Sequence, residues 1–141
     1  MIPVDLSRIL ITETSDQQVI WLKERQGERS FPIVIGIFEA VAIRRKLSEE
    51  PFERPMTHDL LASVIAQLDA RVEKIVVTAL KQTTFFAKIV LNRNGDTVEV
   101  DSRPSDAIAL AVRVQAPIFV EEDLFDLVGK PEVKHEPDEE A

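Results

Sequence analysis

The 141-residue sequence contains no cysteine. This absence excludes a disulfide scaffold, a metal site with cysteine ligands and a thiol nucleophile. Tyrosine is also missing, tryptophan occurs once, and aromatic residues make up only 6% of the chain. The sequence therefore lacks the aromatic strand motif of the common RNA-recognition fold. Any metal ion bound by this chain must be held by oxygen or imidazole ligands.

The sequence also lacks a long apolar run. No segment approaches the roughly 18 uncharged apolar residues that a membrane-spanning helix requires. Asp5 and Arg8 lie where a secretory signal peptide would have its apolar part. We therefore expect a soluble cytoplasmic protein with no membrane association.

The charge is distributed unevenly along the chain. The net charge is −8, and residues 121–141 hold nine acidic and two basic residues, so the first 120 residues are nearly neutral. The composition, 45% hydrophobic and 30% charged, is that of one ordinary globular domain. We predict a single domain over 1–120, followed by an acidic tail over 121–141 with a short helix around 123–128 and disorder beyond it.

The hydrophobic pattern predicts strands at 4–11, 19–25, 31–35, 72–80, 84–91, 97–101 and 118–120. Pro32 indicates that the third strand lies at a sheet edge or starts there, and Asn94-Gly95 predicts a hairpin. Helices are expected from Gly36 to Leu47, from 58 to about 68 with Thr57 as its N-cap, and from Pro104 to about 114. The second helix is expected to bury the following side chains: Leu60, Leu61, Val64, Ile65 and Leu68.

A strand, a glycine turn, a strand and a helix occur twice in this order. Gly27 and Gly95 are 68 residues apart, and Glu39 and Asp106 are 67 residues apart. The spacing predicts an internal duplication, although two short segments can also match by chance. Two such units would form a single compact α+β domain with helices packed on a mixed sheet. Glu39 and Asp106 would then occupy equivalent helix positions.

Three clusters of polar residues lie where a loop or strand meets a helix start: residues 36–40, 54–59 and 101–107. Taken singly, each is best explained by ordinary structure. Asp59 is typical of an acidic first turn, and an exposed Arg54 or Arg103 would form ion pairs worth about 0–1 kcal/mol. A lone histidine such as His58 is more often a hydrogen-bonded structural residue than a ligand.

Catalysis would require the three clusters to converge. Carboxylates could then bind Mg²⁺ or Mn²⁺, His58 could act as a general base, and Arg54 and Arg103 could hold phosphate oxygens. The ion would polarise a phosphoryl group and activate water without a serine or cysteine nucleophile. The candidate ligands are Glu39, Asp59, Asp101 and Asp106.

The same clusters carry a family resemblance. Phe31-Pro32-Ile33-Val34-Ile35-Gly36 with Glu39-Ala40, the run from Arg54 to Leu61, and the run from Asp101 to Ala111 resemble the bifunctional nuclease domain family. The likeness extends from about Val4 to Val120, with Phe31 in a position where the family usually has leucine. It implies a compact α+β homodimer that cleaves DNA and RNA.

Eight polar residues of this sequence match recurrent polar positions of the family, and we assign a role to each of them. The predicted catalytic residues are Glu39, His58, Asp59 and Asp106. The predicted substrate-binding residues are Arg54, Arg103 and Ser105, and the predicted metal ligands are Asp59, Asp101 and Asp106. The alternative is a non-catalytic dimeric interaction or regulatory module, because a nearly neutral domain lacks the basic surface of most nucleic-acid-binding proteins.

Overall fold

A computed structural model describes residues 1–12, 14, 16–49 and 54–131. The strands are β1 Ile2–Leu10, β2 Gln18–Glu24, β3 Arg29–Ile35, β4 Ala70–Lys81, β5 Thr84–Arg93, β6 Asp96–Ser102, β7 Ile118–Val120 and β8 Lys130–Pro131. The helices are α1 Ile37–Leu47, α2 Thr57–Gln67, α3 Pro104–Val114 and α4 Glu122–Val128. None of the described helices is long and apolar enough to span a membrane.

The strands form one mixed sheet of eight, in the order β6-β5-β4-β7-β1-β2-β3-β8. Only β4 and β7 pair in parallel, and all the other neighbours pair antiparallel. This arrangement confirms the predicted α+β fold. Pro32 lies on the open edge of β3, as predicted, because the short β8 covers β3 only at Arg29 and Ser30.

The predicted repeat is visible in the topology. Strands β1 to β3 form an antiparallel meander that leads into α1, and β4 to β6 form a second meander that leads into α3. The β5–β6 turn contains Asn94 and Gly95 at φ values of 53° and 90°, as the expected hairpin turn requires. The two halves therefore place the first turns of α1 and α3 at equivalent positions.

The sheet curls round its core. Strand β4 contains two register shifts, which bend a strand and increase its twist. The Phe85 ring on β5 stacks on Phe31 of β3 at 5.7 Å between centroids, although these strands are not neighbours in the sheet. Phe125 of α4 meets Phe31 edge-on at 5.4 Å. Helix α4 thus closes one end of the core.

Helix α3 is the most deeply embedded helix. Its residues 107–111 are almost wholly buried, and it packs against α1, α2, β4 and β5. Each fully buried large side chain here, such as Ile108 or Leu110, contributes about 1.5–3 kcal/mol relative to exposure. Polar residues at the start of α3 are therefore carried by a rigid element.

The predicted buried face of α2 is wrong in four of its five positions. The exposed side chains are Leu60, Leu61, Val64 and Leu68. Helix α2 turns a different stripe towards α3 and β4, formed by His58, Ala62 and Ile65. Leu47, the last residue of α1, is exposed as well. Helix α2 begins one residue earlier than expected, with Met56 rather than Thr57 at the N-cap position.

The packed domain continues beyond residue 120. The helix expected around 123–128 is present as α4, and its Leu124 and Phe125 are buried in the core. The two residues of β8 then pair with β3. The disorder predicted for the end of the acidic tail concerns 132–141, which lie outside the described residues.

Candidate functional site

The centre of the candidate site is a histidine–aspartate pair. Nε2 of the buried His58, at the start of α2, lies 3.0 Å from Oδ1 of Asp106, in the first turn of α3. Burial raises the pKa of Asp106, but hydrogen bonds from His58 and Arg103 and the charge of Arg103 outweigh it and lower this pKa below its ordinary value. A carboxylate only accepts hydrogen bonds, so Nε2 of His58 is the donor. In neutral His58, Nδ1 is then the nitrogen that can take a proton.

Arg103 joins this pair to the other half of the repeat. Its Nε and Nη2 donate to Oδ2 of Asp106 at 2.9 and 2.8 Å, and its Nη1 lies 3.6 Å from Oε1 of Glu39 on α1. The Arg103 side chain is 66% exposed, whereas those of Glu39 and Asp106 are 14% and 33% exposed. A ligand approaching from solvent therefore meets the guanidinium before the carboxylates.

These side chains line one cavity of about 540 Å³. Its polar lining includes Glu39, His58, Arg103 and Asp106, and its largely apolar wall consists of Ile37, Phe38, Val41, Ala42 and Met56. Each of the three predicted clusters thus contributes to the same cavity. A larger depression of about 610 Å³ lies beside Trp21 and Leu127, but none of the predicted site residues lines it.

Asp59 is directed to a different partner. Its Oδ1 accepts a hydrogen bond from Nε of Arg113 at 2.8 Å, and its Oδ2 accepts one from the backbone N–H of Met56 at 3.1 Å. Asp59 therefore caps the start of α2 and fixes it to α3. It is not among the residues that line the cavity, although its neighbour His58 is.

Arg113 is the structural residue that sequence reasoning missed. Its buried guanidinium also donates to the carbonyl oxygens of Ala109 on α3 and Ala42 on α1, at 2.9 and 3.2 Å. One side chain thus connects the three helices that carry Glu39, His58 and Asp106. Its spacing of seven residues from Asp106 was the available signal, because positions i and i+7 share a helix face.

The remaining predicted residues lie away from the cavity. Arg54 is exposed before α2, and Asp101 is exposed on β6. Ser105 is buried and lines a separate depression beside β3, which also touches Arg103. The convergence expected from the sequence therefore includes Glu39, His58, Arg103 and Asp106, but not Arg54, Asp101 or Ser105.

The described side chains do not form the expected metal site. Among them, no group of three or more histidine, aspartate or glutamate residues is arranged to hold an ion. Of the predicted ligands, Asp59 is bound to Arg113 and Asp106 to His58 and Arg103, while Asp101 lies on another element. Each of these three carboxylates thus follows its own strand or helix, and their role as metal ligands stays a prediction.

Comparison with known proteins decides the family. The model of the bifunctional nuclease domain matches residues 20–132. The chain belongs to the bifunctional nuclease domain family. The matched region contains the whole cavity and extends through α4, in agreement with the burial of that helix.

Proteins with related sequences occur in a bacterium and in plants. An uncharacterized protein of Mycobacterium tuberculosis is 38% identical over 133 residues, which cover 94% of this chain and 79% of that protein. Bifunctional nuclease 2 of Oryza sativa subsp. japonica is 29% identical over 118 residues, 81% of this chain and 36% of its own length. Bifunctional nuclease 2 of Arabidopsis thaliana is 29% identical over 92 residues, 63% of this chain and 28% of its own length. This chain thus corresponds to about a third of each plant protein.

Proposed function

We propose that this protein is a nuclease that hydrolyses phosphodiester bonds of DNA and RNA. The observation that carries the proposal is the hydrogen-bonded His58–Asp106 pair beside Arg103 in one cavity. Membership of the bifunctional nuclease domain family and the names of the plant relatives support the reaction class, and the resemblance of the sequence motifs to that family implies both substrates.

Each of these side chains has a chemical role in the proposed reaction. Hydrolysis needs a base that takes a proton from water and a cation that stabilises the charge developing on the phosphoryl oxygens. His58, held through Nε2 by Asp106, takes the proton of the water at Nδ1 as the water oxygen bonds to phosphorus. The P–O bond to the leaving sugar oxygen breaks, and the proton passes from Nδ1 to that oxygen. Arg103 donates to a non-bridging phosphate oxygen, which a guanidinium binds well. Glu39 and Asp106 fix the orientation of this guanidinium.

This mechanism does not use a metal ion, because two of the predicted metal ligands have other partners: Asp59 accepts a hydrogen bond from Arg113, and Asp106 is bound to His58 and Arg103. The assistance by Mg²⁺ or Mn²⁺ expected from the sequence stays a prediction. Cleavage measured with either ion and with a chelator tests it directly.

Plasmid DNA and RNA cleavage by the purified protein tests the proposal. Replacing His58 with alanine removes the base, and Asp106→Asn removes the carboxylate that orients it, so each change should slow cleavage by about 10²–10⁴-fold. Circular dichroism checks that the variants fold. Asp96→Asn is the matched control, because Asp96 is exposed at the start of β6, does not line the cavity and should be dispensable.

Two results would contradict the nuclease proposal. One is a His58→Ala variant that cleaves as fast as the parent protein. The other is nuclease activity that separates from the protein on a second chromatographic column.

The exposed face of α2 favours a second candidate function. Its apolar side chains are Leu60, Leu61, Val64 and Leu68, and clustered exposed apolar residues mark interaction surfaces. We propose that a second copy of this chain covers this face, which would make the protein a homodimer. A folded dimer without cleavage activity would instead favour the interaction or regulatory module.

A further inference from the structure

Phe38 is an exposed aromatic side chain at the edge of the cavity. It is 84% exposed, more than any other large apolar side chain in the described part of the chain. It precedes Glu39 in the first turn of α1, and with Met56 it belongs to the largely apolar wall. Burial of a phenyl ring is strongly favourable. A ligand that covers the exposed ring of Phe38 would therefore gain the favourable free energy of burying it.

The polar lining of the same cavity is suited to an anion. The side chain of Arg103 is more exposed to solvent than those of its partners Glu39 and Asp106. Arg45 lines the cavity as well. A volume of about 540 Å³ is within the range of about 300–1,000 Å³ that small-molecule sites occupy. A nucleotide has both required parts, a flat base with apolar faces and an anionic phosphate.

We infer that Phe38 is a stacking platform for an unpaired nucleobase, and that the substrate class is single-stranded DNA or RNA. The phosphate beside that base then lies at Arg103, next to His58. In a duplex each base is already stacked on its neighbours, so a base must leave the stack before it can contact Phe38. Aromatic stacking accepts every base, so no sequence preference follows from it. The inference deepens the proposed nuclease function and rests on it for the cleavage step, whereas the binding step is independent of catalysis.

Binding to fluorescent oligonucleotides tests the inference without cleavage. The probes are a single strand of about ten nucleotides and a blunt duplex of the same length, with the His58→Ala protein as the parent. Adding Phe38→Ala should weaken single-strand binding by about 5- to 150-fold, the range measured for loss of one base-stacking aromatic. Adding Phe38→Trp instead should keep the affinity, and the duplex should bind more weakly than the single strand to the parent.

Leu127→Ala is the matched control. Leu127 is 71% exposed, on α4, and does not line this cavity. Its truncation removes exposed apolar surface from the protein without touching the proposed site. Single-strand affinity should therefore be unchanged in this variant.

Several results would overturn the inference. The first is that the parent does not detectably bind the single strand. The second is that adding Phe38→Ala leaves the single-strand affinity equal to that of the parent, and the third is that the parent binds duplex and single strand equally. A Phe38→Ala variant that loses self-association but not affinity would also overturn it, and would assign Phe38 to an interface between copies.

The experiments distinguish a failure of the proposed stacking role of Phe38 from a failure of the proposed nuclease function. Cleavage by the wild-type protein with no effect of Phe38→Ala would overturn the stacking role and leave the proposed function intact. Single-strand binding that depends on Phe38, without cleavage by the wild-type protein, would support the platform and contradict the nuclease.

Discussion

Removal of Arg113 should destabilise the protein far more than removal of an ordinary surface arginine. The Arg113 side chain is 6% exposed and its partner Asp59 is 18% exposed, with 2.8 Å between Nε and Oδ1. Arg113→Met keeps much of the buried aliphatic volume but leaves the Asp59 carboxylate without its cation. The substitution also leaves the carbonyl oxygens of Ala42 and Ala109 without this donor.

The expected loss can be worked from these contacts. Breaking a buried ion pair by removing one partner costs about 3–5 kcal/mol. Asp59 retains the backbone N–H of Met56 and some contact with water, so we expect the lower end, about 3 kcal/mol. For a domain of this size, that corresponds to a fall in Tm of about 6–12 °C. Urea and thermal unfolding measure both quantities.

A double-mutant cycle isolates the pair itself. Asp59→Asn, alone and combined with Arg113→Met, should give a coupling energy of about 1–3 kcal/mol. Arg25→Met is the matched control, because the Arg25–Asp5 pair is similar in length at 3.1 Å but its side chains are 48% and 59% exposed. The control should cost at most about 1 kcal/mol. Equal losses in the two arginine variants, or no coupling between Asp59 and Arg113, would refute the reasoning.

Two further predictions concern acid stability and assembly. Hydrogen bonds from Arg29 lower the pKa of Glu24 below its ordinary value of 4.5. The stability that ionised Glu24 gives to the folded state is therefore complete above about pH 4.5, and it is lost as the pH falls through the lower pKa of the folded state. Urea titrations of the wild-type protein and of Glu24→Gln measure the difference in their free energies of unfolding. This difference should shrink below about pH 4.5, and a difference that grows as the pH falls would contradict the prediction. Leu61→Asp combined with Val64→Asp should make a dimer monomeric in analytical ultracentrifugation, whereas Leu127→Asp should not. An unchanged mass would count against the α2 interface.

Local sequence signals were sufficient for most of the elements. Alternating apolar residues and the Asn94-Gly95 turn determine the strand pairs, because side-chain period and turn geometry are short-range properties. The spacing of Glu39 and Asp106 also indicated the repeat, since equal intervals between equivalent residues are preserved when a unit is duplicated. The positions of these two residues in helix first turns therefore followed from the sequence alone.

The rotation of α2 was decided only by tertiary packing. Its sequence is apolar on more than one side, so periodicity could not determine whether Leu60 and Val64 or His58 and Ile65 face inward. Contact with α3 and β4 selects the His58 side. This choice brings His58 to Asp106 and leaves a leucine-rich face exposed.

Tertiary packing also selected which polar residues share the cavity. Asp59 and His58 are neighbours in sequence, yet adjacent helical positions point about 100° apart, so one meets Arg113 and the other Asp106. The sequence by itself determined the elements and the polar residue types at their starts. Only the folded chain paired these residues, because their partners lie about 50 positions away and their approach depends on how whole helices pack.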